Sequence, residues 1–486
     1  MVYSVSMKFV SILLFLVFAI LRLVGLINLP IFNDEAIYID WGWRQTHLKD
    51  FMFYSLSDAK QPLMLWLFSL AQFVFSDSLW GARFISFLFG LGTIVGIYCI
   101  GKTFFDRRVA LIAGFVYALT PIFFFFDRQA LVESGVSFIG VWVCFFLLKI
   151  HKKNTIPDAI ILGLLLGVGF YIKSSAALFF FPLFIFSLIR KISISRFLTI
   201  IGASQLVLIP LYLQPIFWQS LGLNSRYLAL PSALLIRPID FLEILFWQLT
   251  PLVFTGSVLG IYTLLKKRSS FTNTLLIYVA VPVLFTVFFA KDLIPRYLVS
   301  FLPLMSLVFA VGLTSMIKKT PILICVLSVV IISLLAVDLI QIYSPIAYFT
   351  SLNKATRFSG YSEYVTGWTS GYGVTEAISV VKKETGKSHS VIGVSLDAGN
   401  PQNAAFAYLS DDPLIEVTYF DRKLADPSIE TADCIESSAP FFFMSRGSET
   451  GGMGKYLVLY KQFKKPLGKE FVGLYKLRAD CMIPVL

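Results

Sequence analysis

The chain has 486 residues, 57% of them hydrophobic and only 14% charged, with a mean hydropathy of +0.77. Soluble globular domains carry about a quarter charged residues, so an ordinary soluble enzyme is excluded. The net charge of +12 does not imply nucleic acid: residues from Pro345 onward carry equal numbers of basic and acidic side chains. The whole excess lies in the hydrophobic part, where the positive-inside rule accounts for it.

In chain order, the first apolar stretch runs from about Phe9 to Pro30. It is longer than the apolar core of a signal peptide and is followed by more spans, so it reads as a retained helix with Lys8 at its cytoplasmic end. Further candidates are Arg83–Ile100, Val109–Phe125, Leu131–Leu148, Ile156–Ile172, Ser175–Ile189, Phe197–Phe217, Phe241–Leu265, Phe271–Ala290, Tyr297–Ile317 and Pro321–Tyr343. That makes about eleven spans. Threaded alternately, they gather Lys102, Arg107, Arg108, Lys149, Lys152, Lys153, Arg190, Lys191, Arg196, Lys266, Lys267, Arg268, Lys318 and Lys319 on one side, with only Asp106 and Asp158 as acids. The expected orientation therefore has a cytoplasmic N-terminus and an extracytoplasmic C-terminal region.

Two external segments exceed simple connectors. The first loop, residues 31–81, spaces Tyr38, Trp41, Leu48 and Phe51 as helices lying in the interface plane would. A second, mixed loop covers about Trp218 to Pro238. The expected organisation is a transmembrane domain over 1–343 and a small extracytoplasmic α/β domain over 344–486. In the latter, a helix at Val374–Lys383 and strands at Ser390–Leu396, Leu414–Phe420, Pro440–Met444, Tyr456–Tyr460 and Glu470–Leu477 follow from periodicity. Cys99, Cys144 and Cys325 fall in apolar spans. Cys434 and Cys481, the two cysteines of the polar tail, are candidates for a disulfide in an oxidising compartment.

Ionisable side chains in or beside spans are costly, which makes them functional candidates. On the external side they occur as Asn33-Asp34-Glu35-Ala36, Lys60-Gln61-Pro62-Leu63, Asp127-Arg128 through Glu133, Lys173, and Ile294-Pro295-Arg296-Tyr297. Each alone has a plain structural reading: Asp34 as a helix cap, Lys60 and Lys173 as snorkelling side chains, Arg128 and Glu133 as an ion pair. Arg22, within the first span, either reaches the interface or pairs with an acid of the site. Together they set carboxylates and cations on the membrane face that the charge rule keeps poor in Lys and Arg. Transfer of a sugar from a polyprenyl phosphate needs that combination. A carboxylate takes the acceptor proton, and cations hold the phosphate that leaves.

The ordered set Asn33-Asp34-Glu35-Ala36-Ile37-Tyr38, Lys60-Gln61-Pro62-Leu63, Trp80-Gly81-Ala82-Arg83-Phe84, Asp127 to Glu133, Gly169 to Ser174, and Arg296-Tyr297-Leu298 with Pro303 resembles the GT-C membrane glycosyltransferases. The similar group is that of the protein O-mannosyltransferases and lipid A aminoarabinose transferases. The resemblance spans roughly the first 310 residues. It implies a polytopic helical membrane enzyme with Asp34 as catalytic base, Glu35 beside it, and Glu133 as the second-loop acid. It also implies Lys60, Arg128, Lys173 and Arg296 as donor-phosphate cations, and Tyr38 and Tyr297 in the substrate pocket. In relatives a His or Lys is followed directly by Pro, whereas here Gln61 intervenes. Some relatives bind a divalent metal and others do not; no second histidine stands near His47, which counts against a metal here without closing that alternative, and no other cofactor is implied.

The function read from the sequence is an inverting glycosyltransferase. It would move a sugar from a polyprenyl-phosphate donor to a protein, lipid or glycan acceptor at the external face of the cell membrane. The alternative is a transporter or flippase for lipid-linked saccharides, against which the absence of internal repeats counts. A catalytically dead scaffold is the third reading, and the intact Asp34 and Arg296 count against it.

Overall fold

The computed structural model describes residues 2–48, 52–189, 191–224, 237–267, 270–420, 440–450, 454 and 456–478. Cys434, Cys481 and most of the loop at 218–238 lie outside the described residues. The chain divides into two compact units. One comprises Met1–Leu26, Gln45–Leu67 and Arg83–Ser344; the other comprises Ile27–Arg44, Phe68–Ala82 and Pro345–Leu486.

The helices follow as α1 (Val2–Leu23), α2 (Asn33–His47), α3 (Leu63–Gln72), α4 (Ser78–Phe104), α5 (Arg107–Leu119), α6 (Pro121–Phe126), α7 (Glu133–Lys153), α8 (Ile156–Ile172), α9 (Phe180–Leu188) and α10 (Ile194–Tyr212). They continue as α11 (Pro215–Asn224), α12 (Arg237–Gln248), α13 (Pro251–Lys267), α14 (Ser270–Phe289), α15 (Pro295–Val299), α16 (Met305–Met316) and α17 (Thr320–Tyr343). Among the described residues five helices are long and apolar enough to cross a membrane: α4, α7, α10, α14 and α17. The bent pair α12–α13 makes a sixth if counted as one. The chain is a multi-pass membrane protein.

The two acids on the basic side of the spans both serve helix starts. Asp106 caps α5, its carboxylate accepting from the Val109 amide at 2.9 Å. Asp158, in the first turn of α8, accepts from the Thr155 hydroxyl and the Lys149 ammonium, each at 2.6 Å. Asp106, and Thr155 whose hydroxyl oxygen accepts from the Asp158 amide at 3.4 Å, are caps that satisfy backbone donors the helix itself leaves unpaired.

Several expected spans are broken. The stretch 241–265 is two helices bent by 117°, with Thr250 at φ +71°. Pro251 removes an amide donor and disfavours helical backbone at the preceding residue, and here the apolar run breaks in two, whereas Pro210 and Pro282 lie inside α10 and α14. Likewise Pro121 separates α5 from α6, and the stretch 297–317 divides into α15 and α16 around Pro303. The segment 175–189 begins as a 3₁₀ turn over Ser174–Phe179. Where α13 crosses α16, a Cβ on Gly260 would stand 2.0 Å from the Val308 carbonyl oxygen, and one on Gly312 would stand 2.5 Å from the Gly260 nitrogen. Only glycine permits this approach, which brings backbones close enough for dense van der Waals packing where lipid removes the hydrophobic drive.

The second unit contains α18 (Pro345–Ala355), α19 (Val374–Thr385), β1 (Ser390–Ser395), α20 (Gln402–Leu409), β2 (Ile415–Phe420), β3 (Phe441–Arg446), β4 (Leu457–Lys464) and β5 (Phe471–Leu477). The sheet order is β2-β1-β3-β5-β4. β1 runs parallel to β2 and β3, while β5 pairs antiparallel with β3 and β4. All five strands lie where alternation indicates them. Helix α20 was not among the expected elements: its short apolar sequence carries little periodicity, and it serves as the crossover that a parallel β1–β2 pair requires.

Candidate active site

Glu133 is the first residue of α7 and fully buried. Its Oε1 accepts from Lys173 Nζ and from Arg296 Nε, each at 2.9 Å. Lys173 stands where α8 ends, and Arg296 lies in the first turn of α15, so three separate helix ends deliver one acid and two cations. Lys173 Nζ also lies 5.4 Å from the Tyr297 ring centroid. The second carboxylate oxygen, Oε2, and the buried Ser134 hydroxyl have no hydrogen-bond partner among the described residues. Glu133 Oε1 thus holds the Lys173 and Arg296 side chains oriented at one point.

Arg128, expected among the phosphate cations, donates to four carbonyls near the end of α1: Leu21 at 2.6 Å, Arg22 at 2.9 Å, Val24 at 2.8 Å and Gly25 at 2.7 Å. It thereby satisfies carbonyls that a helix C-terminus leaves open. Arg22 takes the second of its two expected roles, pairing with Asp127 Oδ2 at 3.1 Å. Tyr117 donates to the other oxygen of that carboxylate at 3.0 Å. Arg83 reaches the Leu26 carbonyl at 2.8 Å and the Gln129 side chain at 3.2 Å. Lys60 pairs with Asp58.

In the same unit an apolar cleft of about 400 Å³ is lined by Met52, Phe53, Leu63, Trp66, Val168, Tyr171, Val207 and Pro210. Tyr171 lies two residues before Lys173, so the cleft and the cationic cluster share the end of α8.

In the second unit α2 opens with Asn33-Asp34-Glu35. Glu35 is buried, and its Oε2 accepts from the Phe32 amide at 2.8 Å, closing the helix start. Asp34 is only partly buried and its Oδ1 accepts from Asn33 Nδ2 at 3.3 Å. The two adjacent acids thus differ in burial: Glu35 is buried against the helix start, and Asp34 is only partly so. Tyr38, one turn on, is buried. Asp40 accepts from Arg44 Nε at 2.8 Å, and burial pushes its carboxyl above the usual range while Arg44 pulls it back. Among the described residues no three His, Cys, Asp or Glu side chains gather as metal ligands, so no step is assigned to a metal.

Residues 59–218 match the family of dolichyl-phosphate-mannose-protein mannosyltransferases. The crystal structure of ArnT from Cupriavidus metallidurans bound to undecaprenyl phosphate superposes with a TM-score of 0.62 over 98% of this chain and 99% of its own, at 14% identity. The fold is that of this ArnT structure. Two curated relatives are similar over part of their length. The undecaprenyl phosphate-alpha-4-amino-4-deoxy-L-arabinose arabinosyl transferase of Wigglesworthia glossinidia brevipalpis is 26% identical over 32% of this chain and 28% of its own length. The lipid A galacturonosyltransferase RgtD of Rhizobium johnstonii is 21% identical over 52% of this chain and 53% of its own. The matches thus span about half, or less, of these relatives.

Within this fold, sequence reasoning singled out Glu133, Lys173 and Arg296 without joining them, because 40 and 163 residues separate the cations from the acid. It missed Asp40 with Arg44, although their i,i+4 spacing on α2 was a usable signal. It also missed Asp338, fully buried in α17, whose two carboxylate oxygens have no hydrogen-bond partner among the described residues.

Proposed function

We propose that this GT-C chain is an inverting glycosyltransferase that uses a polyprenyl-phosphate-linked sugar. The observation that carries the reading is the meeting of Lys173 and Arg296 on buried Glu133 at 2.9 Å each. Two cations held at one point, beside an apolar cleft, suit a phosphate whose isoprenoid chain lies along that cleft. Glu133 keeps the cations in place until the phosphate arrives. The ArnT structure bound to undecaprenyl phosphate supports a donor of this class.

In the reaction, Asp34 accepts the proton of the acceptor hydroxyl. The acceptor oxygen forms its bond to the anomeric carbon from the face opposite the phosphate. The bond from that carbon to the phosphate oxygen breaks, its electron pair leaves with the polyprenyl phosphate, and the configuration inverts. Lys173 and Arg296 offset the charge that develops on the departing oxygen. Lys60 is a further phosphate cation in this reading, and Tyr38 and Tyr297 contribute to the substrate pocket. Arg128 takes the role of holding α1. The charge asymmetry of the loops supports about eleven membrane passages, with residues 1–343 as the transferase domain and 344–486 outside the cytoplasm.

Mass spectrometry of glycans and lipid-linked sugars in a deletion strain tests this reading. The expected result is loss of one sugar from its acceptor and accumulation of that sugar on polyprenyl phosphate. Unchanged glycans with unchanged carrier-linked sugars would overturn it. A carrier-linked sugar trapped on the cytoplasmic leaflet would favour a flippase.

A further inference from the structure

Asp34 is held through a chain of contacts that begins in the C-terminal sheet, all of it within the second unit. Arg446, at the end of β3, donates from Nε to the Asn400 carbonyl at 2.7 Å and also reaches the Ala398 carbonyl. It thus grips the turn on both sides of Gly399. The Asn400 amide donates to Asn33 Oδ1 at 2.9 Å. The Asn400 side chain donates to the Ile31 carbonyl at 3.1 Å and the Thr369 carbonyl at 2.9 Å, and Thr369 also receives the Asn33 amide at 3.0 Å. Asn403 accepts from the Gly399 amide and donates to Asp40 Oδ2, fastening α2 a second time.

The Asn400 amide decides how Asn33 is oriented. An amide donor can meet only the oxygen of the Asn33 side chain, which turns Nδ2 toward Asp34 Oδ1 at 3.3 Å. The turn is fitted closely to that oxygen. Gly399 has φ +111°, and a Cβ there would stand 1.9 Å from Asn33 Oδ1.

We propose that Asn33, set by the Gly399-Asn400 turn, is a positioning residue that aims the Asp34 carboxylate at the acceptor hydroxyl. The proposal rests on Asp34 being the base. Misplacing a reacting group by about 1 Å costs on the order of 10²-fold in rate, so a carboxylate without its lateral donor loses turnover while donor binding is unaffected. The donor also favours the ionised carboxylate, and its loss moves the acidic limb of the pH–rate profile toward higher pH. A purely architectural asparagine would not move that limb.

The test uses purified full-length protein in detergent, folded by its melting curve, with the lipid extract of deletion-strain membranes as donor and those membranes as acceptor. Asn33→Ala should lower kcat about 10- to 100-fold, leave KM for the lipid extract within about twofold, and shift the acidic limb upward. Asn33→Asp keeps an acceptor for the Asn400 amide but removes the donor to Asp34, and should lose as much. Gly399→Ala strikes the turn from the other side and should give the same pattern. In an Asp34→Asn background, Asn33→Ala should cost nothing further, since there is no carboxylate left to aim. A kcat within about twofold of wild type in folded Asn33→Ala and Asn33→Asp, or a fall in kcat with an unmoved pH limb, overturns the positioning role. An active Asp34→Asn enzyme instead overturns the base assignment.

Discussion

Lys173 and Arg296 meet on a single oxygen, Oε1 of Glu133, from helix ends far apart in the chain. The Glu133 side chain is fully buried, while Lys173 and Arg296 keep 24% and 13% of theirs exposed. The cations are therefore reachable and their counter-ion is not. Replacing Lys173 or Arg296 by Ala should weaken binding of undecaprenyl phosphate by roughly 2–5 kcal/mol, the usual cost of removing one partner of a buried charge contact. Glu133→Gln should behave differently. It lowers the melting temperature, because two cations lose their counter-ion, yet it leaves undecaprenyl phosphate binding intact, since a competing anion is gone. Calorimetric titration of the three variants decides the matter, and unchanged affinity in both Ala variants would remove the cations from the donor site.

Asp34 and Glu35 are neighbours with different burial. Asp34→Asn should cut transfer by roughly 10²–10⁴, the usual worth of a general base, without weakening undecaprenyl phosphate binding. Glu35→Gln keeps an oxygen that accepts from the Phe32 amide but loses the negative charge at the helix start. Its expected cost is stability, about 0.3–1 kcal/mol, with only a modest change in turnover. Near-wild-type turnover by Asp34→Asn would remove the base role from Asp34.

For Arg128 the structure alters what a mutation should do. Its four carbonyl contacts give it an architectural duty at the end of α1. Hydrogen bonds made by a charged group contribute about 1.5–3 kcal/mol, so Arg128→Ala should lower thermal stability markedly. Affinity for undecaprenyl phosphate, measured on the folded fraction, should stay near wild type. A selective loss of affinity without loss of stability would return Arg128 to the phosphate site.

Much of this was legible because membrane chemistry makes charge conspicuous. Glu133, Lys173 and Arg296 each stand out in apolar surroundings, and the five strands follow from alternation. Pairing was not legible. Arg22 could have reached the interface or an acid, and only the fold brings it to Asp127, 105 residues away. Span continuity was misread at Pro251, where hydropathy persists through a break at which the two helices bend by 117°. The Asn33–Asn400 contact lies 367 residues apart and involves a backbone amide, so no side-chain pattern announces it.

Topology is open to a direct test. The loop charges predict residues after Tyr343 outside the cytoplasm and Lys267 inside. An alkaline-phosphatase fusion after Tyr343 should be active, and one at Lys267 inactive. The opposite pattern would invert the orientation and with it the face on which Asp34 acts.

Lys465 links the C-terminal sheet to pH. It is buried, only 4% exposed, and its Nζ donates to the Ser370 and Tyr372 carbonyls. Burial pushes its pKa down to about 8 from the ordinary 10.5, while Glu470 and Glu376 pull it back. In the unfolded chain the ammonium keeps its ordinary value. Between these two values the unfolded state holds more protons than the folded one, so stability rises with pH across the window. Below about pH 8 both states are protonated and the contribution to the slope vanishes. Lys465→Met removes the group and this dependence. The difference in melting temperature, wild type minus Lys465→Met, should therefore be constant below about pH 8 and climb toward pH 10.5. Taking the difference cancels the titration of other lysines and tyrosines. Melting curves of the full-length protein in detergent at half-unit steps supply the measurement. A flat difference across the window would mean that the folded chain leaves the Lys465 ammonium as comfortable as water does.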